Sequence, residues 1–299
     1  MDTVKEKFGL FSQRPRVRVS IVTHRTPETQ LVSALRCLFR SPSVERVSVI
    51  DNSPDARLED ILLERTNLFK GGVVDYRHVD NRGFGAGHNI SIRESLESDV
   101  EFHLVMNADV WWDGDVIGTI LEFMDRHPYA GMTMPRVRYP DGQLQYACRL
   151  LPGPSDLLFK RFLPPSWSKK RMRRYLLADA DRNAVFNPPY LLGSFLFFRT
   201  SALRRAGLFD ERFFMYPEDM DITRRIHRFA PTLFCPEAEI VHEHAAASRK
   251  SFRMLRIHMV NMVRYFNKWG WFFDSERRRF NSDLLRQLPL SEYPEPGRG

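Results

Sequence analysis

The stretch FHLVMNADVWWDGDV, Phe102–Val116, carries an apolar run straight into a cluster of polar and acidic residues. The run FHLVM predicts a strand buried on both faces, as in a parallel sheet, and it stops at Asn107 and Asp109. Oxygen ligands at the end of a core strand suit a hard divalent ion, because Mg²⁺ is held by carboxylates together with substrate phosphates. We therefore expect a metal at Asp109, alone or with Asn107. The next acids, Asp113 and Asp115, are typical of the turn and N-cap before a helix.

Strands and helices alternate on the N-terminal side of this stretch. Strands are predicted over 17–23, 44–51 and 72–78, and helices over 27–39, 57–65 and 90–98. The alternation indicates a mostly parallel sheet with helices on both faces, which binds ligands at the carboxyl ends of its strands. Polar residues stand at four such ends: Thr23, Asp51, Asn81–Arg82 and Asn107–Asp109. These residues either line one crevice or merely start turns.

The composition indicates a folded protein of a reducing compartment. Of the 299 residues, 43% are hydrophobic and 27% are charged, which is close to the globular average. The three cysteines, Cys37, Cys148 and Cys235, have neither zinc-binding nor disulfide-framework spacing. The sequence shows no signal-peptide core and no run of about 20 apolar residues that would span a bilayer. We therefore expect a cytoplasmic protein.

The net charge of +8 comes from two basic segments. Residues 160–174 carry seven basic side chains and no acid, within a predicted mobile loop over about 152–186. Residues 249–279 carry nine basic side chains against two acids. Such segments suit nucleic acid, an anionic membrane or a phosphorylated substrate. A helix over 252–266 would either pack its apolar face on the main domain or touch a membrane; that face holds Phe252, Leu255, Met259, Met262, Val263 and Phe266.

The glycine-rich sequence NRGFGAGHN, Asn81–Asn89, matches neither the dinucleotide fingerprint nor the P-loop. Three glycines here are compatible with a turn packed closely on the sheet. The flanking Arg82 and Asn89 suit a phosphorylated ligand instead, with Arg82 as cation and the loop backbone as donor.

Acids and histidines recur near the C-terminal end of the predicted domain. Glu218 and Asp219 follow a proline, as at an ordinary helix start. A carboxylate held there beside aromatic residues also suits a general base, because partial desolvation raises its basicity. His242 and His244 close a short strand, and either could complete the metal site of Asp109, although paired histidines are more often structural.

Six motifs in order carry a resemblance to a known family: VSIVTHRTPE, VIDNSPD, NRGFGAGHN, MNADV, GSFLFFRTSALRRAGLFDERFFMYPEDMD and VHEH. The chain resembles the family 2 inverting glycosyltransferases of the GT-A fold, and within them the bacterial rhamnosyltransferases that build O-antigen and related surface polysaccharides. The likeness covers about residues 17–280. It implies a catalytic domain over 17–247, after an extension over 1–16 and before an amphipathic helical region and tail over 248–299.

The resemblance implies a role for each candidate residue. Thr23 and Asp51 would hold the base and ribose of the donor, with Asn81, Arg82 and Asn89 along the nucleotide. Asn107 and Asp109 stand at the family's DXD motif, so Mg²⁺ or Mn²⁺ would bind Asp109 with His242 or His244. Asp219 would be the general base with Glu218 beside it, and Gly193–Ser194 would line the acceptor side.

The implied reaction moves rhamnose from dTDP-rhamnose to a hydroxyl of a polyprenyl-diphosphate-linked glycan at the cytoplasmic face of the inner membrane, without a nucleic-acid partner. A UDP-hexose donor is the alternative. Two other classes compete with this interpretation. A metal-dependent nucleotidyltransferase would need a glycine-rich loop after the first strand, which THRTP at 23–27 lacks. A nucleic-acid-binding protein is disfavoured, because acids at the crevice repel phosphates unless a metal intervenes.

Overall fold

The computed structural model of the chain describes residues 16–64, 73–156, 165–243 and 252–298. His244 lies outside these residues, as do residues 160–164 of the first basic segment. The helices and strands within them, in chain order, are β1 Val17–Thr23, α1 Glu28–Leu38, β2 Val44–Asp51, α2 Arg57–Glu64, β3 Val73–His78, α3 Phe84–Glu97, β4 Phe102–Met106, β5 Val110–Trp111, α4 Val116–Arg126, β6 Met132–Arg138, β7 Leu144–Gln145, β8 Cys148–Arg149, α5 Pro165–Tyr175, β9 Tyr190–Leu191, β10 Phe195–Arg199, α6 Thr200–Ala206, α7 Pro217–His227, β11 Thr232–His242, α8 Phe252–Trp269, α9 Ser275–Gln287 and β12 Gly297–Arg298.

One mixed sheet organises the described residues. Its strands run in the order β12-β7-β6-β10-β4-β1-β2-β3, and β11 joins it by pairing with β5 and β6. The block β4-β1-β2-β3 is parallel, whereas β10 lies antiparallel between β4 and β6. The predicted α/β sheet is thus confirmed, and the carboxyl ends of four parallel strands meet at one edge. Asp115 caps α4 as predicted, accepting the Gly118 N–H at 2.8 Å.

The glycine-rich sequence belongs to helix α3, which begins at Phe84 and not at residue 90. A Cβ on Gly85 would lie 2.8 Å from the Phe209 Cβ, and a Cβ on Gly87 would lie 2.7 Å from a Val22 methyl carbon. Gly87 therefore lets α3 approach β1 closely, and Gly85 lets α3 approach Phe209. Gly83, at φ +105°, donates its N–H to the Asn81 side chain, and the Phe84 N–H binds a backbone carbonyl. The N–H groups of Gly83 and Phe84 are thus bound by protein, which corrects the prediction of these two groups as phosphate donors.

The C-terminal helices pack on the sheet domain through α7. Arg224 on α7 forms two hydrogen bonds with the Asp274 carboxylate, at 2.6 and 2.7 Å, and the side chains of this pair are 1% and 3% exposed. The buried Asp221 carboxylate accepts from the Trp269 indole at 2.8 Å and pairs with Lys268 at 2.7 Å. A second hydrophobic cluster joins α8 and α9 to α7 and β9; it comprises Leu151, Tyr190, Phe213, Met220, Met262, Tyr265, Phe266 and Phe280.

Part of the predicted mobile loop over 152–186 is helical, since α5 spans Pro165–Tyr175. Proline at the first helical position and the many lysines and arginines after it are compatible with a helix. Among the helices that the structure describes, none is both long and apolar enough to cross a membrane.

Candidate active site

A cavity of about 680 Å³ opens at the carboxyl ends of β1, β2 and β3. Helix α8 contributes Arg253, Met254 and Ile257 to its wall. Phe84 of α3 and the residues Phe214 and Met215 before α7 also line it. The remaining lining residues come from the strand ends and the loops after them; they are Val22, Thr23, His24, Arg25, Asn52, Ser53, Pro54, His78, Val79, Asp80 and Asn81. The sequence analysis predicted Thr23 and Asn81 in this crevice but did not predict the wall from α8.

Asp51 anchors the wall of this cavity. Its carboxylate is fully buried and accepts from the Thr23 hydroxyl at 3.0 Å, the Ser53 N–H at 3.0 Å and the Tyr76 hydroxyl at 2.8 Å. The parallel register places Thr23 beside Asp51. Burial and then the bond to Asp51 raise the pKa of Tyr76, so its hydroxyl stays a proton donor. Asp51 therefore fixes the positions of Thr23 and Ser53 in the cavity wall.

The residues that flank the glycines have different surroundings. Arg82 is 77% exposed, and its guanidinium lies 4.0 Å from the Glu211 carboxylate. Asn89 is fully buried, accepts the Phe209 N–H at 2.9 Å and donates to the Phe209 carbonyl at 2.9 Å. Both ends of its amide are used to hold this backbone. Asn89 is therefore a structural brace and does not line the cavity, which corrects its prediction as a donor contact.

Asn107, Asp109 and His242 converge where β4 ends. The His242 Nε2 lies 3.4 Å from the Asn107 amide nitrogen and 3.4 Å from an Asp109 carboxylate oxygen. The pairing of β11 with β5 sets this approach, because His242 lies opposite Val110 and the Glu243 N–H donates to the Asp109 carbonyl at 3.1 Å. Two of the residues predicted to bind a metal are thus brought together.

The hydrogen bonding of the His242 ring fits a metal ligand. Its Nδ1 lies 2.8 Å from the Gln145 side-chain oxygen, which accepts the ring proton. The Nε2 lone pair then faces Asn107 and Asp109, the arrangement in which histidine ligates metals. Within the described ranges no group of three or more His, Cys, Asp or Glu side chains forms a complete cage. A histidine and a carboxylate leave positions for substrate phosphates, which suits Mg²⁺ or Mn²⁺ with a diphosphate.

Glu218 and Asp219 begin helix α7, after the strained Tyr216 at φ +95°. The Asp219 carboxylate, 7% exposed, accepts the Gly193 N–H at 2.8 Å. Burial raises the pKa of Asp219 to about 7, partly offset by this hydrogen bond and by the charge of Arg149. Burial, with the Asp219 charge, raises the pKa of Glu218 well above its usual range. Asp219 is therefore the member of the pair that can exchange a proton near neutral pH.

The dipeptide Gly193–Ser194 connects the two halves of the site. Gly193 donates to Asp219 on one side, while the Ser194 carbonyl accepts the Asn107 N–H at 3.0 Å. The hydroxyl oxygen of Ser194 is buried and has no hydrogen-bond partner among the described residues. Asp219 and the Asn107–Asp109 segment thus lie at the same end of the sheet.

Residues 19–205 match the family described as Glycosyl transferase family 2. The chain belongs to this family. The match ends before Asp219 and His242, so these two residues of the site are assigned from the geometry described above.

Two curated relatives and one solved structure extend this likeness. The N-acetylglucosaminyl-diphospho-decaprenol L-rhamnosyltransferase of Mycobacterium tuberculosis is 30% identical over 178 residues, which cover 55% of this chain and 57% of the relative. The rhamnosyltransferase WbbL of Escherichia coli K12 is 25% identical over 262 residues, which cover 83% of this chain and 92% of WbbL. The chain thus spans little more than half the length of the first relative.

The solved structure is the mannosyltransferase PcManGT of Pyrobaculum calidifontis in complex with GDP-Man and Mn²⁺. It superposes with a TM-score of 0.54 at 15% identity, covering 92% of this chain and 75% of the mannosyltransferase. The likeness confirms the GT-A fold predicted for this member of the glycosyl transferase family 2.

Several functional contacts in this family member escaped the sequence analysis. Gln145, which sets the tautomer of His242, lies 97 positions away in the chain. Arg149 pairs with Tyr190 across β8 and β9, and its charge acts on Asp219. Neither residue lies in a motif, and only the approach of short strands makes it part of the site.

Proposed function

We propose that the protein is an inverting glycosyltransferase that moves a sugar from a nucleoside-diphosphate donor to an acceptor hydroxyl. The observation that carries the proposal is the joining of two groups by Gly193–Ser194: the buried Asp219 on one side, and the segment with Asn107, Asp109 and His242 on the other. A base and a diphosphate-binding group at the same end of the sheet suit a displacement at the carbon that links sugar and phosphate.

The reaction proceeds as a single displacement. Asp219 accepts the proton of the acceptor hydroxyl while the oxygen attacks the anomeric carbon, and the bond from that carbon to the phosphate oxygen breaks. Attack from the face opposite the nucleotide inverts the anomeric configuration. The Gly193 N–H holds the Asp219 carboxylate in place, and burial raises the pKa of Glu218, which favours its uncharged form beside the base.

Asp109 and the Nε2 of His242, with the Asn107 amide nearby, would hold Mg²⁺ or Mn²⁺. The bound ion would neutralise charge on the departing nucleoside diphosphate. Arg82 lies exposed near the mouth of the crevice, on the loop after Asn81, and supplies a cation for the same phosphates. The buried Gln145 keeps His242 in the tautomer that this role requires.

The favoured donor is dTDP-rhamnose. Two relatives are named rhamnosyltransferases, and the cavity at the ends of β1 to β3 is large enough for a nucleoside. Thr23, Asp51 and Asn81 would shape the base and ribose site. A UDP-hexose is the alternative donor of the same class.

The favoured acceptor is a polyprenyl-diphosphate-linked glycan in the synthesis of O-antigen or a related surface polysaccharide. The name of the mycobacterial relative describes a diphospho-decaprenol acceptor, which supports this class of molecule. Such an acceptor stays in the membrane, so the protein would work at the cytoplasmic face of the inner membrane.

A membrane contact is supported by exposed apolar residues at helix α8 and the turn after it. Phe252, Phe272 and Phe273 are 84%, 68% and 91% exposed, and arginines such as Arg253 and Arg256 lie along the same helix. The predicted apolar face of α8 is only partly buried, since Met262 and Phe266 are buried whereas Met259 and Val263 are exposed like Phe252. Aromatic rings beside arginines suit an anionic lipid surface.

We expect Phe272→Ser with Phe273→Ser to lower partitioning onto phosphatidylglycerol vesicles about tenfold, because each buried ring contributes apolar area. Co-sedimentation of the full chain measures the effect. Tyr129→Ser is the matched control, since Tyr129 is 86% exposed outside this surface. Equal pelleting of the double variant and the wild type would rule out this contact.

The pH dependence of transfer should follow Asp219. The base must be ionised, and burial raises the pKa of Asp219 to about 7, so kcat should fall as the pH drops through this value. An ordinary aspartate would leave the rate flat down to about pH 5. Single-turnover rates at saturating donor and acceptor, from pH 5 to 9, measure this fall of the rate at low pH. A flat profile over this range contradicts the assignment.

A donor screen tests the function. The purified protein with Mg²⁺ or Mn²⁺ is offered dTDP-rhamnose, UDP-glucose, UDP-galactose and GDP-mannose together with a farnesyl-diphosphate-linked N-acetylglucosamine acceptor. We expect transfer from dTDP-rhamnose, detected by mass spectrometry. Inversion is measured by the one-bond coupling between the anomeric carbon and its proton. Transfer from a UDP-hexose alone would select the alternative donor, and transfer from none of them would contradict the proposal.

A further inference from the structure

A second cavity, of about 770 Å³, lies between α5 and α9 and is strongly basic. Among the described residues its cations are Lys170, Arg171, Arg173, Arg174 and Arg278, and its carboxylates are Asp156 and Asp179. Three positive charges are therefore unbalanced in its lining. A concave surface of one sign concentrates the electrostatic potential and attracts an anionic ligand.

Three of these cations remain available to a ligand. Arg171 pairs with Asp156 at 2.5 Å, and Arg173 pairs with Asp179. Lys170, Arg174 and Arg278 make no ion pair with any residue in the described part of the chain. Lys170 and Arg174 come from α5 and Arg278 comes from α9, so the two helices present charge to the same space from two sides.

The wall of this cavity reaches the surroundings of the catalytic base. Tyr175 lines the cavity, and the Arg149 guanidinium carbon lies 5.9 Å from the centre of the Tyr175 ring. The charge of Arg149 in turn acts on Asp219. The two cavities have no lining residue in common, so the basic cavity is distinct from the nucleotide site. It lies on the Arg149 side of Asp219, whereas the Asn107 group lies on the Ser194 side.

We propose that this basic cavity binds the diphosphate of the lipid-linked acceptor. The inference rests on the proposed function, since it assigns the charged part of that reaction's second substrate. Arginine and lysine recognise phosphate through charge-assisted hydrogen bonds, and a diphosphate matches the three cations that lack ion pairs. Binding there would hold the lipid end of the acceptor while its sugar hydroxyl extends to Asp219.

The decisive variant removes one cation from each helix: Arg174→Ala with Arg278→Ala. Its matched control is Arg36→Ala with Arg286→Ala, which removes the same charge. Arg36 is exposed on α1, and Arg286 is 71% exposed on α9 outside the cavity. Two acceptors with the same sugar are compared: N-acetylglucosamine linked to farnesyl diphosphate, and the uncharged octyl N-acetylglucosaminide.

We expect the cavity variant to lose about tenfold in kcat/KM for the diphosphate acceptor, because hydrogen bonds to charged groups are lost. The kcat/KM for the octyl glycoside and the KM for the donor should each change by less than about twofold. The control variant should match the wild type in kcat/KM for both acceptors. Equal use of the diphosphate acceptor by variant and wild type would overturn the proposal. An equal loss on both acceptors would also overturn it, since it would indicate a structural effect.

Direct binding separates this inference from the proposed function. Titration calorimetry with farnesyl diphosphate, without added metal or donor, should show about tenfold weaker binding to the cavity variant, and farnesol should show no difference. If the wild type transfers no sugar to either acceptor, the proposed function is wrong. The titration still shows whether the basic cavity binds a lipid diphosphate. Loss of binding to phosphatidylglycerol vesicles with unchanged binding of farnesyl diphosphate would assign the cavity to a lipid headgroup and overturn the proposal.

Discussion

Asp219→Asn is expected to lower kcat about 100- to 10,000-fold while the donor still binds, because general-base catalysis contributes in this range. The amide oxygen of asparagine can still accept the Gly193 N–H, which donates to Asp219 at 2.8 Å, whereas the Met220 N–H, which donates to the other carboxylate oxygen at 2.7 Å, loses its acceptor. Asparagine cannot take up the acceptor proton. Single-turnover kinetics with saturating donor measure kcat, and calorimetry with the nucleoside diphosphate measures binding.

The neighbouring acid supplies the comparison. Burial, with the charge of Asp219, raises the pKa of Glu218 well above its usual range, which favours the neutral form that glutamine resembles. Glu218→Gln should therefore cost about tenfold or less in kcat. Transfer at the wild-type rate by Asp219→Asn would remove Asp219 as the base, and a larger loss for Glu218→Gln would move that role to Glu218.

Asp109→Ala is expected to lower kcat about 100-fold and to weaken metal-dependent binding of the donor nucleotide about tenfold. The alanine removes the only carboxylate that lies beside His242 Nε2 among the described residues, at 3.4 Å. The Kd of the nucleoside diphosphate, measured with and without Mn²⁺, should lose most of its metal dependence. The Kd without metal should stay unchanged, since the cavity wall around Asp51 is intact.

Asp113→Ala is the matched control, because this carboxylate is 90% exposed on the same loop. It should retain the metal dependence and the rate of the wild type. His242→Ala should repeat the effect of Asp109→Ala on the metal dependence. If Asp109→Ala keeps the wild-type response to Mn²⁺, the metal site lies elsewhere.

The parallel half of the sheet follows from sequence because its signals are local. Strands 17–23 and 44–51 were predicted with the bounds that β1 and β2 have, since apolar runs end at Thr23 and Asp51. The start of α3 was not predicted, because glycine disfavours a helix interior. Gly85 and Gly87 are tolerated there since larger side chains would collide with Phe209 and Val22. That requirement belongs to tertiary packing and leaves no local signal.

The candidate site was only partly predictable for the same reason. Asp109, His242 and Asp219 were recognised by residue type and by the family resemblance, and the structure places them at one end of the sheet. The predicted donor contact Asn89 proved to be a buried brace, since an amide next to a glycine-rich turn serves either purpose. Gln145 and Arg149 act only through strand pairings that bring distant parts of the chain together.

Helix α7 carries both the catalytic base Asp219 and a contact with the C-terminal part of the chain. Asp219 lies in its first turn, and Arg224, little more than one turn later, is clamped by the buried Asp274 carboxylate that caps α9. Any chimera that exchanges the last fifty or so residues with those of a relative inherits this coupling. Unless an acid matching Asp274 travels with the graft, a buried guanidinium loses its partner and the alignment of the proton acceptor is disturbed along with the fold.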